Sequence, residues 1–76
     1  MNIKAIIDKY NEMGRVQFKL FSLEYIIMKE NDKVVIYPMI YDKRKMYYSS
    51  IEEALNNFTI YNEPIIENED RITKII

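Results

Sequence analysis

Apolar and polar positions follow two different periods along this chain, first a helical period and then the two-residue period of strands. The first apolar positions recur at the three- and four-residue spacing of one helical stripe: Ile3, Ile6, Ile7, Tyr10 and Met13. Asn2 is placed to cap the start of this helix, and Gly14 is placed to end it. The pattern therefore predicts a helix over residues 2–13 with one side in water.

A two-residue alternation begins at Arg15 and predicts a half-buried strand through Leu20. After Phe21 and Ser22 the apolar phase slips by one residue, which indicates either a tight hairpin turn or a bulge in one long strand. A single strand over residues 15–30 would be far longer than usual. We therefore expect a hairpin at this point.

A second polar turn, at residues 30–33, separates two further apolar runs and predicts a second hairpin. Its strands are expected at residues 23–29 and 34–40. Pro38 cannot donate a ladder hydrogen bond, so it belongs at a sheet edge or near the end of its strand. A charged loop and a short fourth strand at residues 46–48 complete the predicted meander.

Ser50 opens a second, shorter helix, because Ser50 and Glu53 have the spacing of a capping box. This helix should end near Asn57. Three of its side chains and that of the following residue are predicted to face inward: Ile51, Ala54, Leu55 and Phe58. Beyond it two alternatives stay open, because residues 62–66 suit a helical turn and residues 70–76 suit either a last strand or a helical continuation.

These elements predict a single α+β domain over residues 1–76. Its architecture is a small antiparallel β-meander of three to five strands, with an N-terminal helix and a short helix after the meander. Hydrophobic residues make up 49% of the chain, which argues against disorder. The chain has no Cys and no His, and its one glycine is the predicted helix end. We therefore expect no disulfide, no metal, no glycine-rich phosphate loop, no cofactor and no enzyme activity.

The apolar run over residues 34–41 would show apolar side chains on both faces of a strand, and the core covers only one face. The second face is the best indication of a partner, because tyrosine and methionine are favoured at interfaces. The predicted partner-binding residues are Tyr37, Met39, Tyr41, Ile26 and Met28. The alternative is that residues 59–76 fold across this face and complete the core.

A basic loop offers an alternative function, because adjacent cations beside aromatic residues suit a phosphate grip with stacked bases. The nucleic-acid-binding residues of this alternative are Lys43, Arg44, Lys45, Tyr47 and Tyr48. Three charges provide only a small electrostatic contribution, and the net charge of the chain is −1. A solvated hairpin loop that protects a sheet edge is the more frequent role of such a segment.

Acidic residues concentrate in the second half of the chain. Residues 1–48 carry nine basic and six acidic side chains, whereas residues 49–76 carry two basic and six acidic ones. The acidic cluster at Glu63, Glu67, Glu69 and Asp70 fits no calcium-loop spacing, so we expect a solvated face. The asymmetry favours attraction between unlike parts of the chain over affinity for nucleic acid or anionic membranes.

The sequence therefore predicts a cytoplasmic, non-enzymatic protein-interaction module, because no signal-peptide or transmembrane pattern is present. Its expected partner is another protein or a second copy of the chain, and not a membrane. Abundant Ile, Lys, Asn and Tyr have AT-rich codons, which suits a stoichiometric accessory or inhibitor of the kind that phages and mobile elements encode. A small nucleic-acid-binding protein is the alternative.

Overall fold

The computed structural model describes residues 2–76 and confirms the predicted α+β class. The helices and strands, in chain order, are α1 (Asn2–Met13), β1 (Arg15–Leu20), β2 (Leu23–Glu30), β3 (Lys33–Pro38), β4 (Met46–Tyr48), α2 (Ile51–Asn57), β5 (Thr59–Ile60) and β6 (Glu63–Pro64). Two 3₁₀ helices lie at Asp42–Arg44 and Ile65–Arg71. The observed order of elements matches the predicted one as far as α2. After α2 the chain forms the short β5–β6 hairpin and then the second 3₁₀ helix.

Helix α1 has the predicted bounds, but its first turn is capped by a residue far away in the sequence. The backbone N–H of Ile3 donates to a carboxylate oxygen of Glu69 at 3.0 Å. The side chain of Asn2 donates to the backbone carbonyls of Glu69 and Ile72, at 2.8 and 2.9 Å. The prediction that Asn2 caps this helix was wrong, because a tertiary contact supplies the acceptor that the first turn needs.

Gly14 ends α1 as predicted. Its φ of 76° is the left-handed conformation that glycine adopts without a steric penalty, and its N–H donates to the Tyr10 carbonyl at 2.8 Å. The chain reverses at this residue and enters β1 directly.

Strands β1 to β4 form one antiparallel sheet in chain order. Both predicted hairpins are present, since β1 pairs with β2 and β2 pairs with β3. Leu20 pairs with Leu23, so the phase slip is a two-residue turn and not a bulge. Pro38 is the last residue of β3, as its missing N–H predicts.

One face of the sheet builds the core together with both helices. Its buried side chains are Val16, Phe18, Leu20, Tyr25, Ile27, Val34 and Ile36. Ile6 from α1 and Leu55 from α2 belong to the same cluster and are fully buried. Each buried aliphatic side chain contributes about 1.5–3 kcal/mol, so this cluster is the main source of stability in so short a chain.

Ser50 caps α2 as predicted, because its hydroxyl accepts a hydrogen bond from the Glu53 N–H at 3.0 Å. The Glu53 carboxylate reaches one residue further back than a capping box requires, and it accepts from the backbone N–H of Ser49 at 2.9 Å. Glu52 and Glu53 also place negative charge in the first turn of the helix, where it is favourable.

Residues 72–76, which we call the tail, extend the main sheet at its β1 edge. Thr73 exchanges two backbone hydrogen bonds with Lys19, at 2.8 and 3.0 Å. Ile76 exchanges two with Gln17, at 3.0 and 2.9 Å. The tail holds one more residue than β1 between these pairs, and the left-handed Lys74, with φ 52°, accommodates the resulting bulge.

The path of the tail decides whether the end of the chain covers the second face of the sheet, which the sequence left open. Ile72 is buried in the core, and Ile75 packs against it. The tail thus covers the free edge of β1 and completes the core from the side. It does not lie across the second face of the sheet, where the predicted partner-binding residues are.

Candidate functional site

The second face of the sheet, which we call the outer face, lies opposite both helices. Its apolar side chains are Ile26, Met28, Val35, Tyr37, Met39 and Tyr47. The register pairs Ile26 with Tyr37 and Met28 with Val35. Four of the five predicted partner-binding residues therefore share one face, as their alternation predicts.

Two aliphatic residues in the middle of the outer face are shielded by their neighbours. Ile26 is 5% exposed and Val35 is fully buried, although neither belongs to the core cluster. The half-buried Tyr37 directs its hydroxyl to within 4.0 Å of the Met28 sulfur. The Lys45 ammonium lies 5.3 Å from the centroid of the Tyr37 ring. Long side chains thus cover part of the face that the sequence left uncovered.

The two ends of the outer face remain open to solvent. Met39 is 43% exposed, and its N–H donates to the Glu24 carbonyl at 2.8 Å, so pairing continues one residue past β3. Tyr47 is 49% exposed, and its hydroxyl donates to the Glu30 carboxylate at 2.7 Å. This hydrogen bond raises the pKa of Tyr47, because ionising the phenol would place two negative charges side by side.

Tyr41 lies beyond the outer face. The chain turns immediately after β3, where the Tyr41 N–H donates to the Pro38 carbonyl at 2.9 Å. The predicted alternation through residue 41 was wrong, because β3 ends at Pro38, pairing stops at Met39, and residues 40 and 41 turn away from the sheet. Tyr41 is therefore an exposed turn residue beside the outer face and not a member of it.

The outer face carries an excess of positive charge. Its ionisable side chains, placed by strand register or by contact with Tyr37, are Arg15, Lys19, Lys33 and Lys45 with Glu24 and Glu30. The net charge of the whole chain is −1, so acidic groups concentrate elsewhere, on the helices and after β4. The outer face is thus a half-shielded apolar surface inside a mostly basic frame.

A separate cleft opens on the helix side of the sheet. Its cavity of about 290 Å³ lies between the β1–β2 turn and the hairpin of β5 and β6. Four aromatic rings line it: Phe21, Tyr25, Phe58 and Tyr61. Burial raises the pKa of the Tyr25 phenol, while the charge of Arg44 on the cavity wall acts in the opposite direction.

A second cavity, of about 300 Å³, continues the aromatic one. The two share Arg44, Phe58 and Thr59 as lining residues. The structure thus brings together four of the five residues of the alternative nucleic-acid site, because this cavity is lined by Lys43, Arg44, Lys45 and Tyr48. The fifth, Tyr47, points to the outer face on the other side of the sheet.

Sequence reasoning missed the aromatic half of this cleft. Phe21 and Tyr61 occupy turns 40 residues apart in the chain, and Phe58 follows α2. No local pattern links these positions, because their proximity depends on how the last hairpin packs on the sheet. The predicted inward orientation of Phe58 was the only local signal.

Comparisons of this chain with protein-family models, with curated proteins and with solved structures found no match. In the described part of the chain, no helix has the length and apolar character needed to cross a membrane. Within residues 2–76 no three acidic side chains converge on a position for a metal ion. The outer face and the cleft are therefore the two candidate functional surfaces of the described residues.

Proposed function

We propose that this chain is a non-enzymatic protein-interaction module that binds its partner through the outer face. The observation that supports the proposal is that apolar side chains are exposed on a face of the sheet that neither helix and no part of the tail covers. Met39 and Tyr47 are almost half exposed at the two ends of the face, while both helices and the tail pack elsewhere. Exposed methionine and tyrosine around a shielded apolar centre match the composition of interface cores.

The usual size of a specific interface indicates how much of this chain a partner would cover. A standard interface buries roughly 800 Å² on each partner. That area is about a sixth of the 5006 Å² that this chain exposes, so a partner of standard size would contact the flanking charges of the outer face as well as its apolar residues.

The charge of the outer face indicates what kind of partner it accepts. Four cations and two carboxylates frame the apolar residues, and one of the carboxylates, Glu30, already accepts from Tyr47. A partner with apolar side chains among carboxylates would complement this frame. Two copies docked face to face would bring like charges together, so we propose a different protein as the partner and a stoichiometric accessory or inhibitor role.

The test compares the partners captured by the wild-type chain with those captured by outer-face variants. Tyr37→Lys and Met39→Lys place a new charge on the face, whereas Ile40→Lys is the matched control at the adjacent residue, which is 67% exposed. We expect the wild type and Ile40→Lys to retain the partner and both face variants to bind it about tenfold more weakly. Amide chemical-shift changes caused by the purified partner should map to β1, β2 and β3.

Two outcomes would contradict the proposal. Equal capture by all four folded proteins would show that the outer face is not the binding surface. Light scattering that finds a stable dimer, which Met39→Lys dissociates, would replace the different partner with a second copy of the chain.

A further inference from the structure

Two hairpin turns hold aromatic residues in a backbone conformation that such residues rarely adopt. Phe21 has a φ of 53° and is followed by Ser22 at 68°. Tyr61 has a φ of 54° and is followed by Asn62 at 67°. Both are two-residue turns with positive φ at each central position, for which Asn and Gly are the preferred residues. A bulky ring at the first position is strained, and strained residues often mark functional sites.

The two strained residues meet at the cleft. The rings of Phe21 and Tyr61 lie 5.2 Å apart, edge to face, with 71° between their planes. The guanidinium of Arg71 lies 5.8 Å from the centroid of the Phe21 ring. Tyr61 nevertheless remains 78% exposed. The strain therefore places one exposed ring and one half-buried ring at the same edge of the cavity.

The wall of the cleft combines these rings with positive charge. Phe58 packs edge to face on Tyr25 at 6.2 Å, deeper in the cavity. Arg44 joins the aromatic cavity to the adjoining one, which Lys43 and Lys45 also line. Among the described residues, no carboxylate lines either cavity. The Lys45 ammonium itself lies against Tyr37 on the outer face, so Lys43 and Arg44 are the cations that the cleft offers. Two cations without a carboxylate on the wall, in a chain of net charge −1, indicate an anionic ligand.

We propose that this cleft binds single-stranded nucleic acid, with a base against the rings of Phe21, Phe58 and Tyr61 and the phosphates on Lys43 and Arg44. Aromatic rings stack on any base, and a basic groove follows the backbone. The site lies on the helix side of the sheet, so it is additional to the outer face and does not rest on the function proposed above. An acidic peptide would use the cations but has no need of several rings beside them.

The experiment measures fluorescence anisotropy of a short labelled oligo-deoxythymidine with the full chain. We expect binding at low salt that weakens as salt is added, with a slope of log affinity against log salt of roughly −1.4 for two phosphate contacts. Tyr61→Asn should weaken binding about tenfold, which is the range for loss of one base–ring stack. Lys43→Ala should reduce the slope of log affinity against log salt by roughly 0.7. Tyr41→Asn, at an exposed tyrosine outside the cleft, is the control and should bind as the wild type does.

The backbone conformation at Tyr61 separates an effect on binding from an effect on stability. Asn suits the left-handed conformation better than Tyr does, so Tyr61→Asn should unfold at the same or a higher temperature than the wild type. Lost binding with retained stability supports a ligand-binding role for Tyr61. The proposal is overturned if no oligonucleotide binds at low salt, if Tyr61→Asn binds as tightly as the wild type, or if polyglutamate of equal charge displaces the oligonucleotide equally well.

Discussion

Residues with left-handed backbone conformation mark the points where this chain turns. Within residues 2–76, six of them carry side chains and the seventh is Gly14. Asn31 and Asn62 belong to a residue type that adopts this conformation more readily than most residues with side chains. Phe21 and Tyr61 do not, and each costs about 1–2 kcal/mol of strain. The contact between their rings, at 5.2 Å, offsets part of this cost.

Gly14 allows backbone strain to be measured without a steric clash. A Cβ added to this residue would meet no atom within 4 Å, so only its φ of 76° opposes a side chain. We expect Gly14→Ala to lower the free energy of unfolding by about 1 kcal/mol in urea denaturation. Gly14→Asn should cost less, because Asn tolerates positive φ. An equal loss for the two variants would show that the conformation is not the cause.

At the scale of elements, the tail and Glu69 connect the two ends of the described chain. The tail pairs with β1, while Glu69 accepts from the first turn of α1 and Asn2 holds the carbonyls of Glu69 and Ile72. One edge of the sheet is thereby covered. The other edge is β4, whose three residues are too short to pair extensively with another chain.

Removal of residues 73–76 should expose the edge of β1. The amides of Gln17 and Lys19 would lose their acceptors on Ile76 and Thr73. We expect hydrogen exchange to accelerate at these two amides far more than within β2 and β3, and self-association to increase at micromolar concentration.

Lys74→Gly is the control for this truncation. Glycine adopts the φ of 52° found at Lys74 without strain, so the bulge and its pairing should persist. Unchanged exchange at Gln17 and Lys19 after truncation would show that the tail does not pair with β1 in solution.

At the scale of the whole molecule, four tyrosines link stability to pH. Burial raises the pKa of Tyr10, Tyr25 and Tyr48, and the hydrogen bond to Glu30 raises that of Tyr47. The folded state therefore holds these phenolic protons more tightly than the unfolded chain, in which tyrosine ionises near about pH 10. The resulting stability is fully present below that pH and is lost as the pH rises through the raised pKa values.

We expect the urea midpoint to be insensitive to these tyrosines at neutral pH and to fall above about pH 10. Ultraviolet absorbance of tyrosinate would report the ionisation directly. Tyr25→Phe should make the fall less steep, because it removes the most buried of the four phenols. A midpoint that rises with pH in this range would contradict the sign of the shifts.

Much of the secondary structure follows from short stretches of the sequence. Gly14, Pro38 and Ser50 each act through their own backbone or their nearest neighbours, and each lies where its chemistry predicts. The hairpin at Phe21 and Ser22 follows from a phase slip that alternation makes visible. The grouping of the outer-face side chains follows from the same alternation.

Contacts between distant residues account for what local patterns did not predict. The cap of α1 is Glu69, the edge partner of β1 is the tail, and the outer face is shielded by Lys45 from a neighbouring loop. The cleft likewise depends on two turns that meet only in the folded chain.

The chain itself thus specifies its helices, its hairpins and an apolar second face of the sheet, because period and turn chemistry act over a few residues. Where the last residues pack is a tertiary outcome, since the isoleucines of the tail suit either a sheet edge or a sheet face. The backbone N–H and C=O groups along the free edge of β1 need hydrogen-bond partners, so they favour packing of the tail at that edge. That placement leaves the outer face uncovered, while the packing of the β5–β6 hairpin on the sheet builds the aromatic cleft on the opposite side.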